Sequence, residues 1–464
     1  MVEKHDIVII GCGAAGATAA QFAKKTDRKA QVTIFESSYF SQYSKCGIPY
    51  AISGEIPKIM DLIEFSENWF QKARINLQLN TSVTEINAEK QFITAEKNDG
   101  SIIKKQYSDL IFATGATPII PPIENIYYEN SNQLRKNIFT VRTIIDAKHI
   151  AAAAQPGIHA TIVGAGLIGL EMADSLFKRG LQVTIIEALP TILTNMLDED
   201  MSNPLLKKIG ETVSLHVNTF AKEVIIDEEE NITSVIAKDN ETQKQVEIKT
   251  DILIIAAGIK PNTDLAKQIG CAIGPTEGIQ VDDYSYTTLP SVYAVGDCTE
   301  YVEFVTGTAI PIGLGSIAVR QGIAAGTNAA GGSYQLPKGF LQTATSEFFG
   351  IEIGSVGPSI QIRKDMDIIT AKHTSLTKPD YFPGGTPITL KTIIDAESGI
   401  IIGAQAVGEN AAQRVNTYAT AVLAKLHIDT FRKLETAYAP PIAPTLDVVT
   451  LAADIASMKW QRKK

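Results

Sequence analysis

The chain has 464 residues, is 45% hydrophobic and carries a formal net charge of −9. This length implies two or three domains. No run of about 18 apolar residues predicts a membrane span, and no long basic stripe suggests nucleic acid as a main partner. The four cysteines, at 12, 46, 271 and 298, form no C-x-x-C pair and the six histidines do not cluster, so neither a disulfide framework nor a metal site is expected. Lys4, His5 and Asp6 precede an apolar run too short for a secretory signal, which points to a cytoplasmic protein with reduced thiols.

The first predicted element is the strand Ile7-Val8-Ile9-Ile10. It runs into Gly11-Cys12-Gly13-Ala14-Ala15-Gly16, and a helix of small residues follows. A second strand, Val32-Thr33-Ile34-Phe35, ends at Glu36. In such a unit the first glycine makes a tight turn, the second lets the backbone approach a pyrophosphate, and the third lets helix pack on strand. The pyrophosphate sits at the helix N-terminus, where free N–H groups and the macrodipole favour negative charge. The acid accepts hydrogen bonds from a ribose. The helix closes in Lys24-Lys25-Thr26-Asp27-Arg28-Lys29, a pattern that also suits any helix C-terminus.

Cys46 comes next, in Ser44-Lys45-Cys46-Gly47-Ile48-Pro49-Tyr50. The thiolate is the reactive form of cysteine, and a helix start together with Lys45 would favour it. Cys12, Cys271 and Cys298 read as structural. Strand-like segments then lead to Asp109-Leu110-Ile111-Phe112-Ala113-Thr114-Gly115. Pro118, Pro121 and Pro122 mark a domain crossing.

A second unit spans roughly 140 to 260. Ala160-Thr161-Ile162-Val163 leads into Gly164-Ala165-Gly166-Leu167-Ile168-Gly169, a helix, and Val183-Thr184-Ile185-Ile186 ending at Glu187. The same series of elements occurring twice, in order, is evidence for two dinucleotides. Glu187 accepts a 2′-hydroxyl and repels a 2′-phosphate, and Ala188-Leu189-Pro190-Thr191 supplies no cation, so NADH is favoured and NADPH remains possible. Glu223 to Ile248 reads as alternating strands around Glu229-Glu230-Asn231. The run from Asp251 to Gly258 mirrors the one from Asp109 to Gly115, a second internal correspondence. After the strand Ser291-Val292-Tyr293-Ala294-Val295-Gly296-Asp297 comes a helix-rich region. From about Tyr334 short strands with glycine turns continue through Gly403, and helices follow. The last segment, with Leu451, Ile455, Met458 and Trp460 among Lys459, Arg462, Lys463 and Lys464, reads as a packed helix with a basic end rather than a membrane-surface helix.

Together these marks resemble the pyridine nucleotide-disulfide oxidoreductase superfamily over nearly the whole chain. The resemblance implies an α/β protein with two Rossmann-like dinucleotide-binding domains and a C-terminal α+β dimerisation domain. Residues 1–118 and 262–332 would bind FAD, 119–261 the nicotinamide dinucleotide, and 333–464 would make a homodimer interface. The FAD contacts implied are Gly11, Gly13, Ala14, Ala15, Gly16, Glu36, Lys45, Val83, Ala113, Thr114, Gly115 and Asp297, the last on the ribityl chain. The NAD contacts implied are Gly164, Gly166, Leu167, Ile168, Gly169, Glu187 and Gly258, with Glu171 at a position near the nicotinamide.

Two-cysteine members have a second cysteine where this chain has Ala51, so the chain looks like the single-cysteine branch: CoA-disulfide reductases, NAD(P)H-dependent sulfur reductases, NADH oxidases and NADH peroxidases. There the cysteine lies against the flavin and passes through a mixed disulfide, persulfide or sulfenic acid. Tyr381 and Tyr438 resemble partner-subunit tyrosines that reach this cysteine, where a phenol can hydrogen-bond a thiolate or protonate a leaving one. Ala14 stands where peroxidases carry a histidine, which weakens a peroxide-reducing reading. Thr18 and Lys25 match CoA contacts, while Phe22 stands where a polar contact is expected. The expected function is FAD-dependent NADH oxidation coupled to reduction of CoA disulfide, CoA persulfide or polysulfide through Cys46. An oxygen-reducing NADH oxidase is the alternative. A flavin-bound redox sensor, or an electron donor to a protein partner, is a third reading.

Overall fold

Ile7, Val8, Ile9 and Ile10 are all buried, as expected of a central parallel strand covered on both faces. The computed structural model describes residues 5–310 and 313–464. In it Asp6–Ile10 pairs in parallel with Gln31–Phe35 on one side and Asp109–Phe112 on the other. Asn76–Gln78 and Val292–Ala294 complete that sheet at its two edges. The second sheet repeats the plan. His159–Val163 lies between Gln182–Ile186 and Ile252–Ile255, with Ser214–His216 and Ile138–Thr140 at the edges. Each parallel sheet has its own antiparallel three-stranded companion: Thr81–Asn87, Phe92–Lys97 and Ile102–Gln106 in the first, and Thr219–Ile226, Ile232–Asp239 and Gln245–Lys249 in the second. The acids at the ends of the two second strands, and the small-residue turns after Phe112 and Ile255, therefore occupy matching places. Both flank the point where strand order reverses, which is where open α/β sheets bind ligands.

The proline-marked crossing is itself paired structure: Ala116–Pro118 runs antiparallel to Ile259–Pro261. Asn262 fastens it. Its backbone N–H donates to Gly115 O at 2.9 Å and its Nδ2 to Thr114 O at 3.0 Å. Thr114 Oγ1 donates in turn to Asn262 O at 2.6 Å.

Where a helix-rich region was expected after Asp297, the described residues hold one α-helix, Gly315–Ala329, and the short strand pair Tyr301–Val302 and Ala309–Ile310. That helix lies hard against Ala14–Thr26. A Cβ on Gly326 would collide with the Ala19 carbonyl, so glycine is what permits the close approach.

The third unit is a five-stranded antiparallel sheet, in spatial order Ala344–Phe348, Ile351–Val356, Ile401–Gly408, Pro387–Asp395 and Ile368–Leu376. Helices Ala411–Leu423 and Val448–Lys463 share its core. The basic tail belongs to that packing: Trp460 is buried edge-on to His427, and Lys459 Nζ donates to Thr370 O at 2.8 Å. No helix among the described residues is long and apolar enough to cross a membrane.

The second and third units are joined by a buried charge cluster. The Asp198 carboxylate meets Lys391 at 2.6 Å, Gln405 Nε2 at 2.9 Å, and Arg363. Burial pushes the Asp198 carboxyl up, but the two cations and Gln405 overcome that and hold it below the usual aspartate value.

Candidate functional site

Both fingerprints have the same local build. Gly11 and Gly164 lie at φ of 106° and 109°, and a Cβ on either would strike the backbone carbonyl of Ala113 or Ala256. A Cβ on Gly16 or Gly169 would strike the carbonyl of Gly11 or Gly164 in the same unit. At Gly13 and Gly166, by contrast, an added Cβ meets no protein atom within 4 Å. The middle glycines thus face open space, where a pyrophosphate can come up to the backbone. The helices that begin there, Ala14–Thr26 and Leu167–Lys178, have no side-chain N-cap and no acid in the first turn. Their leading N–H groups are left for an anion.

The two acids are held alike. Glu36 Oε2 accepts from Cys12 N at 2.7 Å and its Oε1 from Ser38 N at 2.9 Å. Glu187 Oε2 accepts from Ala165 N at 2.6 Å and its Oε1 from Leu189 N at 2.9 Å. Each carboxylate is fixed by two backbone donors and keeps lone pairs for ribose hydroxyls. This donor and acceptor set fits two dinucleotides. Ala14, Ala15, Leu167 and Ile168 sit in the first helical turns. Val83 lies on the companion strand Thr81–Asn87, packed against the core around Val8, Ile10 and Phe35. Gly115 and Gly258 both have positive φ, at 68° and 128°, in the paired crossing.

Cys46 lies in a 3-10 turn, Lys45–Gly47, that opens the helix Ile48–Ser53. It alone of the four cysteines is exposed. Even so, it stands in a recess whose walls desolvate it. Burial, then the carboxylates of Glu171 and Asp297, push its thiol pKa up, and Arg142 opposes them. The helix start is therefore present, but it does not leave Cys46 a thiolate-favouring site on its own. Lys45 is itself drawn down to about 8, chiefly by burial and then by the Arg142 charge. Cys12 and Cys298 are buried with thiols pushed up by desolvation, and Cys271 is buried too.

Two carboxylates and a guanidinium from distant parts of the chain act on Cys46. Asp297, just past Gly296, is ion-paired to Arg142 Nη2 at 2.7 Å. Glu171, on the second fingerprint helix, accepts from Ser346 Oγ at 2.6 Å. Arg179, at the end of that same helix, donates to Ile52 O at 2.9 Å and to Ala151 O at 3.1 Å, capping the cysteine helix and its neighbour Ile144–Ala153. Arg142, Arg179 and Ser346 escaped the sequence reading. Nothing local marks them, because their roles rest on contacts between units.

Tyr381 and Tyr438 are brought together, their hydroxyls 3.1 Å apart. They are 73% and 47% exposed, on the third unit, with exposed Ile442 and Leu446 nearby in sequence. Among the described residues neither hydroxyl bonds to Cys46 within one chain.

The two CoA candidates separate. Thr18 is buried, packed against Gly322 of the Gly315–Ala329 helix. Lys25 is exposed and lines a groove of about 320 Å³ with Gln21, Lys24, Arg28, Trp69 and Ile75. Phe22, where a polar contact was expected, carries the Lys25 ammonium 4.2 Å above its ring.

A family model described as pyridine nucleotide-disulphide oxidoreductase matches residues 5–322, and its dimerisation-domain counterpart matches 343–449. The chain is 33% identical to an NADH oxidase of Methanocaldococcus jannaschii, covering 98% of this chain and 99% of that one. It is 32% identical to a CoA-dependent NAD(P)H sulfur oxidoreductase of Pyrococcus furiosus, over 98% of this chain and 99% of the relative. Among solved structures, an NAD-dependent persulfide reductase from A. fulgidus superposes with a TM-score of 0.92 at 32% identity, over 98% of this chain and 84% of that chain.

Proposed function

The chain belongs to the pyridine nucleotide-disulphide oxidoreductase family, and from that premise we propose that it is an FAD-dependent NADH oxidoreductase that reduces CoA disulfide, CoA persulfide or polysulfide through Cys46. The observation that carries this reading is Cys46 itself. It is the one exposed cysteine, at a helix start, with carboxylates and a guanidinium from two units acting on it.

The first fingerprint and Glu36 would hold FAD, with Asp297 toward its ribityl chain, and the second fingerprint and Glu187 would hold NADH. FAD bound there would supply the two-electron link between nicotinamide and sulfur. The protein's own part is sulfur chemistry. Cys46 Sγ, as thiolate, attacks one sulfur of RS–SR, forming RS–S–Cys46 and releasing RS⁻. Two electrons then cleave that bond, the second RS⁻ leaves, and Cys46 is again a thiolate. The balance is RSSR + NADH + H⁺ → 2 RSH + NAD⁺. The groove with Lys24, Lys25 and Arg28 suits the phosphates of a CoA moiety, and Trp69 offers an aromatic face. The exposed Tyr381–Tyr438 pair is free to meet the active site of a second copy in a homodimer, where a phenol can protonate the leaving thiolate.

Anaerobic turnover of CoA disulfide with NADH is expected for the natural enzyme and lost in Cys46→Ser. Equal rates would overturn the mechanism. A second reading, oxygen as acceptor, is favoured by the resemblance to an NADH oxidase. Ala14, with no proton donor at the first helical position, counts against efficient four-electron reduction. Oxygen uptake with NADH alone is expected to be slow and to yield peroxide.

A further inference from the structure

We infer that Arg179 is a positioning residue for Cys46. Its guanidinium fastens the helix behind the cysteine to the second nucleotide unit, so that the sulfur is carried by that unit although its chain belongs to the first. This deepens the reading that Cys46 is the reactive sulfur and rests on it.

The helix Ile48–Ser53 has six residues, too few to hold its shape alone, so its place is set by what it packs against. Its apolar side is Ile48, Ala51 and Ile52, all buried. These three do not join the two cores on the faces of the first sheet, around Ile7 and around Val8. They pack instead into the core of the second unit, with Ile150 of Ile144–Ala153 and with Leu170, Ala173 and Leu176 of Leu167–Lys178. Leu62, on the far side of the same loop, belongs to that core as well. Its side chain stands where a Cβ on Gly47, the residue next to Cys46, would have to go.

Apolar burial is non-directional and leaves a short helix free to slide or turn. The directional contacts come from Arg179, just past the end of Leu167–Lys178. Its Nη1 donates to Ile52 O at 2.9 Å, one of the carbonyls that a helix end leaves without an internal partner. Its Nη2 donates to Ala151 O at 3.1 Å, at the end of Ile144–Ala153. One planar guanidinium thus joins three helix ends, and its charge suits the negative pole of the two it caps. Lys178 adds an outer contact, meeting Glu55 at 2.5 Å just past the cysteine helix, and Asp174 at 2.9 Å. The Lys178–Glu55 pair is half exposed and so the weaker of the two holds.

The consequence lies in what the same helix does at its other end. It starts after Gly166, in the fingerprint read as the seat of NADH, and ends at the clamp on the cysteine helix. Its twelve residues span about 18 Å. Nicotinamide seat and sulfur are therefore referenced to one rod, and a movement of the second unit against the first carries both. A misplacement of about 1 Å at a reacting centre can cost about a hundredfold in rate, which is why such a hold matters.

The test is Arg179→Met in the full-length holoenzyme, which keeps the length of the side chain and loses both donors. Hydrogen exchange of the amides in 47–56 is expected to speed up about tenfold or more, with the strand His159–Val163 unchanged, the mark of local release rather than global unfolding. The kcat for CoA disulfide is expected to fall about tenfold while KM for NADH stays within about twofold. Turnover of NADH with ferricyanide, which takes electrons from the flavin without Cys46, is expected to stay at the natural rate. Arg179→Lys, which reaches one carbonyl at a time, is expected to lie between the two in exchange and in kcat, and it decides should Arg179→Met fail to fold. Unmoved exchange in 47–56, or ferricyanide turnover falling in step with disulfide turnover, would overturn the proposal. Disulfide turnover surviving in Cys46→Ser would sink the functional reading, and hydrogen exchange would then judge the anchor by itself.

Discussion

The two nucleotide units share one strand plan, and they differ in the stretch just past their acids. After Glu36 the first unit reaches Cys46 and the short helix Ile48–Ser53. After Glu187 the second reaches Asp198 and the helix Glu199–Gly210. In one unit this stretch presents a sulfur to the recess between units. In the other it presents a carboxylate that is buried against Arg363 and Lys391 of the third unit. The duplicated frame gives both units the same glycine turn and the same backbone-held acid. The stretch after the acid ends in an exposed cysteine in one unit and a buried anchor in the other.

The sharpest way to break the shared frame is at its third glycine. Gly16→Ala and Gly169→Ala each drive a methyl into a backbone carbonyl of the same turn, which no side-chain rearrangement relieves. Both variants are expected to lose cooperative unfolding and soluble yield, the largest effect anticipated. Next comes the anchor. Asp198→Asn leaves Arg363 buried without its carboxylate and Lys391 with only Asp200 at 2.6 Å, and breaking a buried pair costs about 3–5 kcal/mol, which should appear as a lower melting temperature. The pH sign follows from the held-down carboxyl of Asp198. Its contribution is present above the unfolded aspartate value of about 3.9 and is lost as pH falls through the lower folded value. Acid unfolding of Asp198→Asn should accordingly lack that component.

A smaller and more selective effect separates the two cofactor sites. A Cβ added at Gly13 or Gly166 meets no protein atom within 4 Å, so both valine variants are expected to fold. Gly13→Val is expected to emerge with FAD occupancy reduced about tenfold to hundredfold. Gly166→Val should retain FAD but raise KM for NADH by a similar factor. Loss of FAD in both would mean that the units are not separate sites.

Much of this was legible in the sequence, because it rests on local rules. Glycine spacing, an acid at a strand end and a cysteine before Gly-Ile-Pro-Tyr are short-range patterns, and the fold shows tight glycine turns, backbone-held acids and an exposed cysteine at a helix start. What stayed hidden depends on long-range pairing. Arg142 looks like any cation after a strand until Asp297, far along the chain, is found 2.7 Å away. Asn262 looks like a loop residue until it bonds Thr114 and Gly115 across the crossing. Thr18 matches a ligand contact of the family, and only the fold shows that Gly322 on a second helix packs against it. The desolvation that pushes the Cys46 thiol up and draws Lys45 down was hidden for a related reason, since it is a property of the assembled recess.

The mildest change addresses the one feature in which the units match in geometry but are expected to differ in consequence. Glu36 and Glu187 are held by equivalent backbone donors, so Glu→Gln at either site removes a charge while keeping a hydrogen-bonding oxygen. If Glu187 meets the adenosine ribose of NADH, its charge itself matters, because a carboxylate there repels a 2′-phosphate. Glu187→Gln is therefore expected to narrow the NADH-over-NADPH preference in kcat/KM by about tenfold, mostly through better use of NADPH. At Glu36 the ligand would be FAD, whose adenosine ribose has no 2′-phosphate to exclude. Glu36→Gln should weaken FAD retention a few-fold and leave the nicotinamide preference unchanged. A preference that shifts in Glu36→Gln would show that the two acids are not assigned to separate dinucleotides, and the division of labour between the units would have to be redrawn.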